Sequence, residues 1–282
     1  MKIRSASFLG LSLAVISFVV LLPATASAQI IHGNYTNTGV TYLNVTESGP
    51  GIPPSVFTPP SPATSYDTLN MVSQLSFVPN NFIQTDQSLS FDLKTKQSQL
   101  QINIQANPGM WFTGNALQLE TAGSYNLVAP FGSPPLPLTP GGATNSYAYA
   151  SSTAAYTLMV TEVDNAPFIG GSLLTNTVVI TPSSLASVGP GGSASGSWSG
   201  STILDINTIK LHFGIGATNK VTGMVLQYSA QVAAAGVYGQ ATTSLMNLNV
   251  VNQVVPEPST YALLLMGAGA LGYCGWRRRR RN

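Results

Sequence analysis

Between Gln29 and Val255 the apolar positions recur at every second residue, and the 3.6-residue period of an amphipathic helix is almost absent. Leu89, Phe91 and Leu93 alternate with Ser90 and Asp92, and Leu100, Ile102 and Ile104 with Gln101 and Asn103. Ile209, Leu211 and Phe213 alternate in the same way with Lys210 and His212. Period two in segments rich in β-branched and aromatic residues predicts half-buried strands. Further strands are expected at Val40–Val45, Leu75–Val78, Tyr156–Val163, Thr177–Thr181, Val221–Val232 and Leu245–Val254. Turn signals such as Asn107-Pro108-Gly109 and Pro140-Gly141-Gly142 separate them. Many short strands without crossover helices predict an all-β body of sandwich or jelly-roll type over residues 29–253. The Pro-rich stretches Pro50–Pro62 and Pro130–Pro140 read as long surface loops, and the Gly/Ser segment Gly189–Ser201 as a flexible loop or linker.

The two ends follow another pattern. Lys2 and Arg4 precede an apolar run from Phe8 to Leu22 and a small-x-small box, Ala26-Ser27-Ala28. This is the layout of a secretory signal peptide over residues 1–28, read by the Sec machinery and cut by signal peptidase to leave Gln29 as the first residue. At the other end Pro256-Glu257-Pro258-Ser259 leads into an apolar run over 261–276, closed by Arg277, Arg278, Arg279, Arg280 and Arg281. The run is expected to be a transmembrane helix, a marginal one, since sixteen helical residues reach about 24 Å against a hydrocarbon core of about 30 Å. The five arginines hold their end on the cytoplasmic side, which places the body on the far side of the membrane. Pro256 and Pro258 impose an extended backbone.

Charge narrows the function. Asp, Glu, Lys and Arg make up 7% of the chain, against about 25% in ordinary soluble domains. Residues 29–255 contain four lysines, no arginine and eight carboxylates, a net of −4. A body without arginine does not neutralise a run of phosphates, so nucleic acid is excluded as the expected partner. One cysteine, Cys274, and two histidines, His32 and His212, leave no basis for a disulfide framework or a multi-ligand metal site, and no cofactor is expected. The surface must consist of Ser, Thr, Asn, Gln and Gly, groups that both donate and accept hydrogen bonds and suit neutral sugars.

The tripartite end at 254–282, Val-Pro-Glu-Pro-Ser, a Gly-rich apolar helix and an arginine cluster, resembles the PEP-CTERM sorting signal of Gram-negative bacteria. The resemblance implies that exosortase, a membrane-embedded cysteine transpeptidase, recognises Pro256, Glu257 and Pro258, removes the helix and passes the body to the cell surface or matrix.

Candidate chemistry in the body is sparse. Glu162 and Asp164, at i and i+2, would share one face of a strand, and a bend would bring Asp86 to Asp92; glycosidases need two carboxylates about 5–10 Å apart. Glu162, Asp164 and Asn165 are the nearest approach to a calcium loop. No nucleophile elbow accompanies either histidine. Trp111 and Trp198 are the candidates for stacking on sugar rings, Trp198 being the better exposed by its Ser and Gly neighbours. The expectation is therefore a non-enzymatic surface or matrix protein associated with exopolysaccharide in a biofilm. A polysaccharide-acting hydrolase using Glu162 or Asp164, or a carbohydrate-binding module, is the alternative.

Overall fold

A computed structural model describes residues 29–49, 56–80, 82–87, 92–129, 146–181, 187–189, 191–237 and 239–257, with residue 266 alone beyond them. In chain order the strands are β1 (Ile30–Thr36), β2 (Val40–Ser48), β3 (Phe57–Thr58), β4 (Thr64–Asp67), β5 (Val72–Pro79), β6 (Ile83–Asp86), β7 (Lys94–Ala106), β8 (Met110–Phe112) and β9 (Leu117–Val128). They continue as β10 (Tyr147–Val163), β11 (Ala166–Pro167), β12 (Leu174–Thr177), β13 (Val179–Thr181), β14 (Ser187–Val188), β15 (Ser193–Leu204), β16 (Val221–Val237) and β17 (Gln240–Pro256), and the helix α1 (Ile206–Phe213) precedes β16.

These strands build two antiparallel sheets. The first has the order β1-β2-β7-β16-β10-β11, with β12 and β14 also on β10; the second has the order β13-β15-β9-β17-β5-β3, with β4 on β5 and β6 and β8 on β17. Alternation decides which side chains meet between the sheets. On β7, Leu100, Ile102 and Ile104 are buried while Gln97, Gln99 and Gln101 point outward. On β17, Leu245, Leu248, Val250 and Val254 join the same buried cluster as β7 and β16. Fully burying a side chain of this size stabilises by roughly 1.5–3 kcal/mol, and the expected all-β sandwich is the result.

Four local expectations need correction. Residues 206–213 form a helix, although Ile209, Leu211 and Phe213 alternate like a strand. The Asp205 carboxylate caps it by accepting from Asn207 N–H at 2.8 Å, and Gly214 closes it in the left-handed conformation at φ 68°. Ile206, Ile209 and Phe213 are buried at helical spacing, and Leu211 is 84% exposed. The Gly/Ser segment is the larger surprise, because residues 193–204 are the regular strand β15, paired along its length with β9. Part of the first Pro-rich stretch is also ordered into the sheet, with Val56 and Phe57 buried. Val178 interrupts the strand expected over Thr177–Thr181, leaving β12 and β13 on different sheets.

The strand expected around Leu89–Leu93 is described only from Asp92, and neither Asp92 nor Leu93 is in a strand. Residues 1–28 and 130–145, and the apolar run 261–276 apart from Met266, lie outside the described residues. No helix among the described residues is long and apolar enough to cross a membrane.

Candidate functional site: the end of the last strand and an outer polar groove

The last strand does not stop short of the sorting motif; it runs into it. Val254, Val255 and Pro256 pair with Phe112, Trp111 and Met110 of β8, and Val254 is fully buried. Glu257 N–H then donates to Gly109 O at 2.6 Å. Gly109 belongs to the expected Asn107-Pro108-Gly109 turn, where Met110 N–H closes onto Asn107 O at 2.9 Å and Gly109 takes φ 77°. The Glu257 carboxylate lies 3.5 Å from Lys220 Nζ. That ammonium also sits 4.6 Å from the centre of the Trp111 ring. Pro256 is the last residue of β17, in extended backbone, and Glu257 follows it outside the strand. Pro258, Ser259, Arg277 to Arg281, Ala26 and Ala28 lie outside the described residues, and Gln29, where they begin, is exposed.

Lys220 is itself held in place by a carboxylate first considered for catalysis. Asp164 occupies a tight turn at φ 53°, accepts from Asn219 Nδ2 at 2.7 Å and from Lys220 N–H at 2.9 Å. The Asn219 amide and then the Lys220 backbone N–H hold the Asp164 carboxyl below its ordinary range. Glu162 accepts instead from Gln105 Nε2, at 3.1 and 3.2 Å. β10 ends at Val163 and Asp164 opens the turn that follows, so the two carboxylates do not share a strand face. Asp86 is buried and accepts from Gly236 N–H at 2.7 Å, while Asp92 is exposed and paired with Lys94. Among the described residues no three His, Cys, Asp or Glu side chains gather in a group able to hold a metal ion.

Trp198 is not the better exposed of the two tryptophans. Trp198 is only 2% exposed and faces the core from β15, so it is no surface for a sugar. It lies against Gly123, its partner on β9; a Cβ at Gly123 would run into the Trp198 ring and the Ser244 carbonyl. Trp111 is half-buried beneath Lys220 at the sorting-motif end. His212 is on the helix, 2.9 Å from Ser172 O. His32 Nε2 lies 3.1 Å from Glu47, a fully buried carboxylate that also accepts from Val56 N–H, Phe57 N–H and Ser98 Oγ.

The second feature is a groove of about 300 Å3 on the outward face of the second sheet. Sequence reasoning missed it, although its signal was present: serine at every second position of β15, from Ser193 to Ser201, all exposed. Register carries that row across the sheet. Ser201 pairs with Glu120 and Glu120 with Asn249; Ser199 pairs with Ala122 and Ala122 with Asn247. Glu120 accepts from Gln118 Nε2 at 2.7 Å and from Asn249 Nδ2 at 3.4 Å.

Residues 254–281 match the PEP-CTERM protein-sorting motif. The chain therefore carries the signal that its C-terminal residues resembled, and that motif implies an exported, exosortase-processed protein anchored transiently in the membrane. No curated protein matches the chain. Among solved structures, the family 11 xylanase from Neocallimastix patriciarum aligns at 11% identity with a TM-score of 0.19, covering 82% of this chain and 99% of that one. The GH31 alpha-xylosidase from Xanthomonas citri aligns at 8% identity and a TM-score of 0.13, covering 81% and 33%. Neither likeness is strong enough to bear on the fold or the chemistry.

Proposed function

We propose that this chain is an exported, non-enzymatic protein of the cell surface or extracellular matrix, delivered through exosortase and retained in the exopolysaccharide of a biofilm. The observation that carries the reading is the sorting motif at 254–281, whose first residues are the end of the body's last strand. The scarcity of charge supports residence in a hydrated neutral polymer. The separate structural duties of Glu162 and Asp164 favour the non-enzymatic form over the hydrolase.

Intact mass of the protein from the inner membrane, cell surface and medium tests it. The native chain should leave the membrane as a shortened form beginning at Gln29. The double variant Pro256→Ala/Glu257→Ala should accumulate at its unprocessed length in the inner membrane, and unchanged release of that variant would reject the sorting role.

A further inference from the structure

We infer that the groove beside Glu120 is a binding site for a neutral polysaccharide chain. The inference deepens the matrix reading above and rests on it for the polymer's setting, while the site itself stands on geometry.

Depth comes from small residues. Ala122 forms the floor between Ser199 and Asn247, and the register shift between Leu245 and Asn247 pushes Met246 out to 57% exposure beside it. Val179 and Thr181 of β13 form one wall and Asn247 and Asn249 of β17 the other. A pyranose presents hydroxyls around its rim and C–H groups on its faces. Ser199, Ser201, Thr181, Asn247 and Asn249 supply groups that both donate and accept. Val179, 67% exposed, supplies an aliphatic surface for the C–H face.

Charge selects among polymers. The groove lining holds one carboxylate, Glu120, and no Lys or Arg. A uronate or sulfated chain would meet repulsion and no cation to pair with, whereas a neutral hydroxyl can donate to Glu120 in a charge-assisted bond. Glycoside hydrolases ordinarily pair two carboxylates within about 10 Å, and the groove lining has one, which fits holding a chain better than cutting it. The face continues beyond the groove as the register rows Ser197–Ser124–Ser244 and Ser195–Asn126–Thr242, so a polymer finds hydroxyl partners that a single sugar would not reach.

The test is electrophoresis of the full-length chain, purified in detergent, through native gels containing hydroxyethyl cellulose, dextran or galactomannan, with alginate as the acidic control. At least one neutral polymer should retard the native chain and alginate should not. Asn249→Ala should weaken retardation about tenfold, and Ser201→Tyr, which fills the groove from an exposed strand position, should abolish it; both should melt at the native temperature. Passage unretarded through all three neutral gels, equal retardation by alginate, or retardation unchanged in both variants would overturn the site. Delivery to the surface without retardation would remove this site and leave the sorting role standing. Retardation of a protein that never leaves the inner membrane would do the reverse.

Discussion

Glu47 shows what a single residue contributes to a body so poor in charge. Burial alone would raise its carboxyl, but His32, Ser98 and the Phe57 and Val56 N–H groups outweigh burial and hold it below its ordinary value of 4.5. A carboxyl depressed on folding stabilises fully above that ordinary value and loses its contribution as pH falls through the lower folded value. The native chain should therefore melt at progressively lower temperature as pH falls from about 5 to 3. Glu47→Gln should lower stability at neutral pH by about 1.5–3 kcal/mol and flatten that acid slope. Thermal melting at a series of pH values checks both; a variant with the native slope would assign the acid sensitivity to other carboxylates. His32 looked isolated in the sequence because its partner is 15 residues away, on the neighbouring strand.

At the scale of elements, β15 and α1 mark the limits of reading by pattern. Glycines made residues 189–201 look like a linker, yet the two inside β15 sit opposite bulkier residues of β9, Gly196 opposite Tyr125 and Gly200 opposite Thr121, while Gly123 of β9 leaves the room that Trp198 fills. The preference for strand is thus shared between two partners and is invisible in either alone. Gly123→Ala should cost about 1–3 kcal/mol through overpacking, while Gly189→Ala, with nothing within 4 Å of the added carbon, should stay within about 0.5 kcal/mol of native. Denaturant midpoints of the two variants decide this, and equal midpoints would show that the Trp198–Gly123 contact relaxes freely. The helix was legible in principle, since Asp205 and Gly214 bracket it, but eight residues with alternating apolar positions satisfy both periods. Long strands such as β7, β16 and β17 were readable in large part because their alternation persists, whereas residues 147–155 of β10 were not expected as strand. The polar groove was not readable, because it depends on register among four strands.

The whole molecule is organised around two consecutive strands of 17 residues each, β16 and β17, which lie in opposite sheets and whose outer ends are joined by the Lys220–Glu257 pair. A partly exposed pair of this kind adds only about 0–1 kcal/mol, so its importance is positional. Residues through Glu257 belong to the fold, and cutting ahead of Pro256 would require peeling the end of β17 from β8. The released body should accordingly end C-terminal to Glu257. Mass analysis of its last peptide checks this, and a terminus before Pro256 would show that the enzyme unzips the strand.

The union of strand and signal also sets the geometry of the membrane stage. Four peptide steps separate Glu257 from Tyr261, the first residue of the apolar run, and no conformation stretches them beyond about 14 Å. If the run from Tyr261 enters the lipid during the proposed membrane stage, Glu257 stays within about 14 Å of it until the cut, and with Glu257 the turn at Gly109 that its N–H bonds.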